Sequence, residues 1–243
     1  MLEVCALTDP GRVRQSNQDS FRIVEELGLY MLADGMGGAR GGARASRLAV
    51  DAVERALARS THRDAAALLG AVEEANDLVL AEATRDPNLE GMGTTLVAAL
   101  ETKANDIAIA SVGDSRAYVL HDDELRAVTK DQTWVQEVGR GLGLDEASLR
   151  SHPMRHVLTM AVGVGVAVRI LYYAVELAPG DMLLLTTDGL HGVVAEPEIA
   201  RILRQPGSSL ETACEQLMAA AHAAGSPDNV TVMLMRPAAR TNQ

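Results

Sequence analysis

The chain has 243 residues, a formal net charge of −11, 47% hydrophobic and 23% charged side chains, and only 2% aromatics. That length can bury a sizeable core in one large domain or two small ones, and the composition is globular rather than disordered. The acidic field and the scarcity of aromatic rings exclude a nucleic-acid backbone, an anionic membrane and a base-stacking platform as default partners.

Leu2, Val4 and Ala6 alternate with Glu3, Cys5 and Leu7, predicting a first strand that ends at the turn Thr8-Asp9-Pro10-Gly11. The amino-terminal stretch carries neither a basic region nor a long apolar run, so no secretory signal is expected. A polar stretch, RVRQSNQD, precedes a short strand near Phe21 to Val24. A third strand runs from Gly28 to Asp34. Ala45, Leu48, Ala49, Ala52, Val53, Ala56 and Leu57 then recur at helical spacing. A second helix follows through Leu68, Val72, Ala75, Val79 and Ala83 and stops near Asp86-Pro87.

After Gly91 the period changes. Gly93 to Leu100, Asp106 to Val112, Ala117 to Leu120 and Leu125 to Val128 read as an antiparallel meander. Gln132 to Val138 and Asp145 to Arg150 are weak helical segments around the glycine-rich stretch Gly139 to Gly143. Ala167 to Leu177 and Met182 to Thr187 return to strand. Pro197 to Leu203 and Leu210 to Ala224 are helical, and Val230 to Met235 is a last strand. The most apolar long stretch, Met160 to Val175, is interrupted by Arg169 and is too short to span a bilayer. Cys5 and Cys214 are far apart and outside any CxxC spacing, so they read as small apolar residues in a reducing compartment. A cytoplasmic protein is expected.

Strand-rich runs with one early and one late pair of helices predict an α+β fold: two antiparallel sheets packed together, helices outside. No linker, repeat or charge block divides the chain, so residues 1–243 are expected to form a single domain. Its strands should be buried on both faces.

The chemistry is concentrated in aspartates placed where apolar strands meet turns. Asp34 follows LYMLA and precedes Gly35; Asp114 follows IAIASVG; Asp188 follows LLLTT; Asp228 precedes NVTVMLM. One such acid is only turn chemistry. Four at strand ends can converge on one edge of the sheet stack. Carboxylates without a histidine or cysteine pattern make a hard oxygen site, suited to Mg²⁺ or Mn²⁺ rather than zinc. Two such ions can share a water, lower its pKa and present it to phosphorus. Arg14, in the early polar stretch, has the planar charged fork that suits phosphate oxygens.

TDPGRVRQSNQDS, LADGMGGARGGARAS, GMGTTLVAAL, ASVGDSRAYVL, VTKDQTWVQE, HPMRHVLTMAVG, LLLTTDGL and GSPDNVTVMLM occur in an order that closely resembles the bacterial branch of the metal-dependent protein phosphatases, type 2C. The resemblance covers about Val4 to Met235. It implies a β-sandwich flanked by helix pairs and hydrolysis of phosphoserine and phosphothreonine on proteins. Two ions of Mn²⁺ or Mg²⁺ are implied, with a weaker third in bacterial members. Asp34 then matches the acid that bridges two metals, and the Gly35 carbonyl a ligand of the second. Asp188 and Asp228 match the remaining ligands of the first metal, and Asp114 the acid that holds the third metal with Asp188. Arg14 matches the phosphate-binding arginine and Asp19 the acid that orders metal-bound water. The implied partners are phosphorylated protein substrates and a cognate serine/threonine kinase, with the chain acting as a monomer.

Four positions depart from the family pattern. Gln18 replaces a glutamate that reaches a metal water, and Met36 stands where the eukaryotic branch has a histidine proposed as general acid. His156 replaces a usual asparagine, and an arginine is common at Met160. Val138 to Ser151 aligns with the family's flap, with Trp134 as an anchor at its base. Nothing in the pattern demands His191, so it is given no catalytic role. The alternative function is a catalytically weak phosphoprotein-binding regulator of the same fold. Such relatives typically lose metal acids, and this chain keeps all four.

Overall fold

The computed structural model describes residues 2–103 and 106–238, with backbone alone at 39, 146 and 150. In chain order the strands are β1 (Leu2–Asp9), β2 (Asp19–Val24), β3 (Leu29–Met36), β4 (Gly93–Thr94), β5 (Leu96–Lys103), β6 (Asp106–Val112), β7 (Arg116–His121), β8 (Glu124–Ala127), β9 (Leu171–Glu176), β10 (Met182–Thr186) and β11 (Val230–Pro237). The helices are α1 (Gly38–Arg59), α2 (Ala65–Arg85), α3 (Glu146–Ser151), α4 (Asp188–His191), α5 (Glu196–Leu203) and α6 (Leu210–Ala223). One antiparallel sheet has the order β1-β11-β10-β7-β8. The other runs β2-β3-β5-β6-β9, with β4 added beside β3.

The continuous apolar composition of the central strands conceals a strict alternation. In β3, Leu29, Met31 and Ala33 pack under α1 and α2, whereas Tyr30 and Leu32 face the other sheet. In β11, Val232 and Leu234 pack under α5 and α6, while Met233 and Met235 point between the sheets. Three apolar layers therefore separate four layers of structure, as the α+β reading expects. The edge strands β8 and β9 are exceptions to the expected two-sided burial, since β9 alternates half-buried with exposed positions. Leu32 lies wholly buried between the sheets. Replacing it with alanine is expected to cost about 2–5 kcal/mol, read as a fall in the urea midpoint with an unchanged slope.

Several boundaries differ from expectation for physical reasons. α1 begins at Gly38, so Gly41 and Gly42 lie inside the helix although glycine disfavours helical interiors. Their missing side chains let α1 lie against the backbone of its neighbours: a Cβ on Gly42 would overlap the Gln18 carboxamide. Asp188 opens a short helix rather than a turn. The strand expected from Ala167 starts at Leu171, because Gln132 takes the Arg169 carbonyl through its Nε2–H at 2.8 Å. Trp134 stacks on His152 with ring centroids 4.3 Å apart, and Gly139 lies against the same indole, the anchoring expected at the flap's base. Cys5 and Cys214, distant in sequence, are neighbours between β1 and α6, both free, with the Cys214 thiol donating to the Cys5 carbonyl. Burial pushes both thiols up, which makes them poor nucleophiles. No described helix is long and apolar enough to cross a membrane.

Candidate active site

The alternation that builds the core also delivers the acids to one end of it. Asp34 lies near the end of β3, directly across from Asp19 at the start of β2. Asp114 follows β6 by two residues, Asp188 follows β10, and Asp228 precedes β11 by two. The neighbouring strands are antiparallel, so all five positions fall at the same edge of the sandwich. There Asp34, Asp114, Asp188 and Asp228 line a cleft of about 1330 Å³ together with Arg14, Gln18, Gly35 and His156, while the buried Asp19 is not among its lining residues.

A lattice of threonines and amides fixes the carboxylates. The buried Asp19 accepts hydrogen bonds at Oδ2 from the hydroxyls of Thr231 at 2.6 Å and Thr187 at 3.0 Å. Those two threonines sit on β11 and next to β10, so Asp19 ties one sheet to the other. Thr95 receives the Asp34 N–H at 3.0 Å and returns its own N–H to the Asp34 carbonyl at 2.9 Å. Its hydroxyl also pairs with Ser115 at 2.7 Å. Gln132 accepts the Gly113 N–H at 2.7 Å and donates its own backbone N–H to the Gly113 carbonyl at 2.9 Å, so the turn before Asp114 is clamped. Gly113 has φ +93, a left-handed conformation that favours glycine there. Thr95, Gln132, Thr187 and Thr231 are functional supports that the sequence reading missed. The recurrent threonines at strand ends, GMGTTL, LLLTTD and DNVTV, are the only sequence signal for three of them.

Burial and crowding raise the proton affinity of these acids. Burial is the main cause for Asp34, whose carboxyl lies well above the ordinary range; the charges of Asp19, Asp188, Asp114 and Asp228 add to it. Burial pushes Asp19 to about 7, against the hydrogen bonds from Thr231 and Thr187. Asp114 is pushed to about 8, by burial first and the Asp188 charge second. Asp188 is raised by burial and by Asp228. Oδ1 of Asp19 and Oδ1 of Asp188 are shut off from solvent without a hydrogen-bond partner. Buried anionic oxygens that lack donors are a set that a hard divalent cation satisfies. The donors therefore fit Mg²⁺ or Mn²⁺. Among the described residues no three acidic, histidine or cysteine side chains form a closed ligand cluster; such cations keep several waters as ligands.

Arg14 is brought to this edge by a different device. Asn229 accepts the Gln18 N–H at 2.8 Å and donates to the carbonyls of Pro10 and Ser16 at 2.9 and 3.0 Å, which folds residues 10–18 against the start of β11. The half-exposed Arg14 guanidinium then grips Asp228 through both nitrogens, Nε to Oδ1 at 2.8 Å and Nη2 to Oδ2 at 2.7 Å. The expected phosphate fork and the expected metal acid are thus direct partners.

Two departures can now be placed. A Cβ on Gly35 would overlap the Gly42 carbonyl, so the glycine serves the close approach of α1 to β3. His156 lines the cleft, whereas Met160 turns inward and offers its sulfur to the Arg169 N–H at 3.4 Å. His191 has Nε2 buried without a partner, and burial holds its ring neutral.

A protein-family model described as Protein phosphatase 2C matches residues 11–223. The chain is 36% identical to the serine/threonine phosphatase stp of Listeria welshimeri over 236 residues, covering 94% of this chain and 93% of that one. Its fold is similar to the crystal structure of the Mycobacterium tuberculosis serine/threonine phosphatase PstP/Ppp, with a TM-score of 0.88 and 35% identity over 97% of this chain and 98% of that one. The catalytic domain of PstP in complex with two manganese ions superposes with a TM-score of 0.85 at 33% identity, over 97% of each chain. An acid-lined cleft at the edge of a helix-flanked sandwich, a family match across most of the chain and relatives that span its length agree: the chain belongs to the protein phosphatase 2C family.

Proposed function

We propose that this chain is a metal-dependent protein-serine/threonine phosphatase, and that residues 1–243 act as one catalytic domain, a monomer in the cytoplasm. The observation that carries the reading is the convergence of Asp34, Asp114, Asp188 and Asp228 on one cleft, with unpartnered carboxylate oxygen facing inward. Asp34, Asp188 and Asp228, with the Gly35 carbonyl, would hold two ions of Mn²⁺ or Mg²⁺; Asp114 and Asp188 would hold a third. When bound, these ions supply a water of lowered pKa and neutralise charge on the phosphoryl oxygens. Arg14 is the group that orients the phosphoryl oxygens, its charge reaching the cleft from the segment that Asn229 holds. Asp19, locked by two threonine hydroxyls, keeps one oxygen free to accept a hydrogen bond from water. The substrates are phosphoproteins, and a serine/threonine kinase would be the opposing enzyme.

The direct test is phosphate release from a phosphothreonine peptide, expected with Mn²⁺ and abolished by a chelator. Arg14→Lys keeps the charge but loses the fork. Hydrogen bonds to charged groups are worth about 1.5–3 kcal/mol, so kcat/KM should fall about 10–100-fold. A weak phosphoprotein-binding regulator would instead show peptide binding without turnover, and calorimetry with Mn²⁺ would find no tight site.

A further inference from the structure

The strand that carries Asp34 continues sideways into a small ribbon. Gly35 and Met36 pair with Thr94 and Gly93, and Thr94 exchanges both backbone hydrogen bonds with Val162, at 3.1 and 2.9 Å. The chain then enters Gly163-Val164-Gly165-Val166. Asn76, buried on α2, grips this loop at two points. Its Oδ1 accepts the Gly163 N–H at 2.9 Å, and its Nδ2 donates to the Gly165 carbonyl at 3.0 Å. Gly163 has φ +86, and a Cβ there would overlap Val79, so the loop backbone lies flat on α2.

A backbone held this way leaves the two valines facing outward. Val164 is 54% exposed and Val166 87%. The Val164 Cγ2 and the Met36 Cε converge on one space, 2.6 and 3.0 Å from where a Cβ on Gly93 would stand. Met36 belongs to the wall of the acid-lined cleft. Val157, beside His156, and Val13, beside Arg14, are further aliphatic side chains on that wall, 43% and 67% exposed. Val164, on the pinned loop, reaches the cleft wall through Met36, so the exposed valines of the loop adjoin the aliphatic side chains of the cleft.

We propose that Met36, Val157 and Val164, with Val13 and Val166 at the rim, form an aliphatic lip that receives bulky aliphatic side chains flanking the phosphorylated residue. The occupant is a phosphoprotein segment with leucine, isoleucine or valine next to the phosphoserine or phosphothreonine. This rests on the phosphatase reading above. Residues 163–168, GVGVAV, offer no charge with which to select a lysine or glutamate, and the net charge of −11 disfavours acidic flanks.

The test compares degenerate phosphothreonine peptides with p-nitrophenyl phosphate, which has no flanking residues, both with Mn²⁺. Peptides with aliphatic flanks are expected to be hydrolysed preferentially. In Val164→Asp and Val166→Ser, the ratio of kcat/KM for the best aliphatic peptide to that for p-nitrophenyl phosphate should fall, about tenfold for the aspartate. Thermal midpoints check folding, and both side chains project from the surface. Preference for charged flanks, or a ratio within twofold of the parent in Val164→Asp, overturns the lip. Absence of p-nitrophenyl phosphate turnover in the parent overturns the phosphatase reading itself, so the two failures are distinct.

Discussion

Asp34→Asn is expected to lower kcat/KM for phosphate release by about three orders of magnitude and, in a chelator, to raise the thermal midpoint. Both effects come from the same position. Asp34 sits between Asp19, its cross-strand partner, and the charges of Asp188, Asp114 and Asp228. Divalent-ion catalysis supplies several kcal/mol of charge stabilisation, and each 1.36 kcal/mol is a factor of ten, so losing the acid proposed to serve both ions should remove about a thousandfold. The backbone hydrogen bonds that hold Asp34 to Thr95 are untouched by the amide. An asparagine carries no charge into a buried acidic cluster, so the folded chain gains stability where no cation offsets repulsion. Activity within tenfold of the parent would remove Asp34 from the site. A lowered midpoint in the chelator would mean that the crowding of acids is not a destabilising feature.

Metal removal has the second large effect. With Mn²⁺ at about a hundred times its dissociation constant, linkage adds about 2.7 kcal/mol, which for a chain of this size is roughly 5–10 °C in midpoint over the chelated protein. That gap should widen with pH. In the folded chain Asp19 and Asp114 titrate at about 7 and about 8, against about 4 when unfolded. Between those limits the folded state binds more protons than the unfolded one, so stability falls as pH rises from about 4 to about 8. Below about 4 both states are protonated, so the slope from these groups vanishes and their contribution is fully present. Bound Mn²⁺ replaces the protons and binds better as they leave, which opposes the fall. Differential scanning calorimetry at pH 5 and 8, with Mn²⁺ and with chelator, reads both slopes. Parallel slopes would contradict the electrostatic account of the cleft.

The acids were legible because each interrupts an apolar run beside a turn residue, which is a local signal. Their supports were not. Thr231 reaches Asp19 across 212 positions and Thr187 across 168, and a hydroxyl at a strand end looks the same whether it faces solvent or a buried carboxylate. The paired helices and two sheets followed from periodicity, but the start of α1 did not, because glycines that propensity counts against a helix are there for contact with Gln18 and β3. The neighbouring thiols of Cys5 and Cys214 likewise depend on which strand α6 covers, a fact held by topology alone. Gly35 shows the converse: its position was legible, but its contact with the Gly42 carbonyl, seven residues on in α1, was not.

β1 and β11 pair along their whole lengths, Leu2 with Pro237 through Asp9 with Val230. The Arg14 segment is folded down by Asn229, beside the start of β11. During synthesis, then, Arg14, Asp228 and the closing strand of one sheet come together only once the chain through Pro237 is made. Sheet closure across such a sequence separation is slow to nucleate and leaves β1 and β10 with open edges until the end. The cleft is therefore assembled last, as a property of the finished fold.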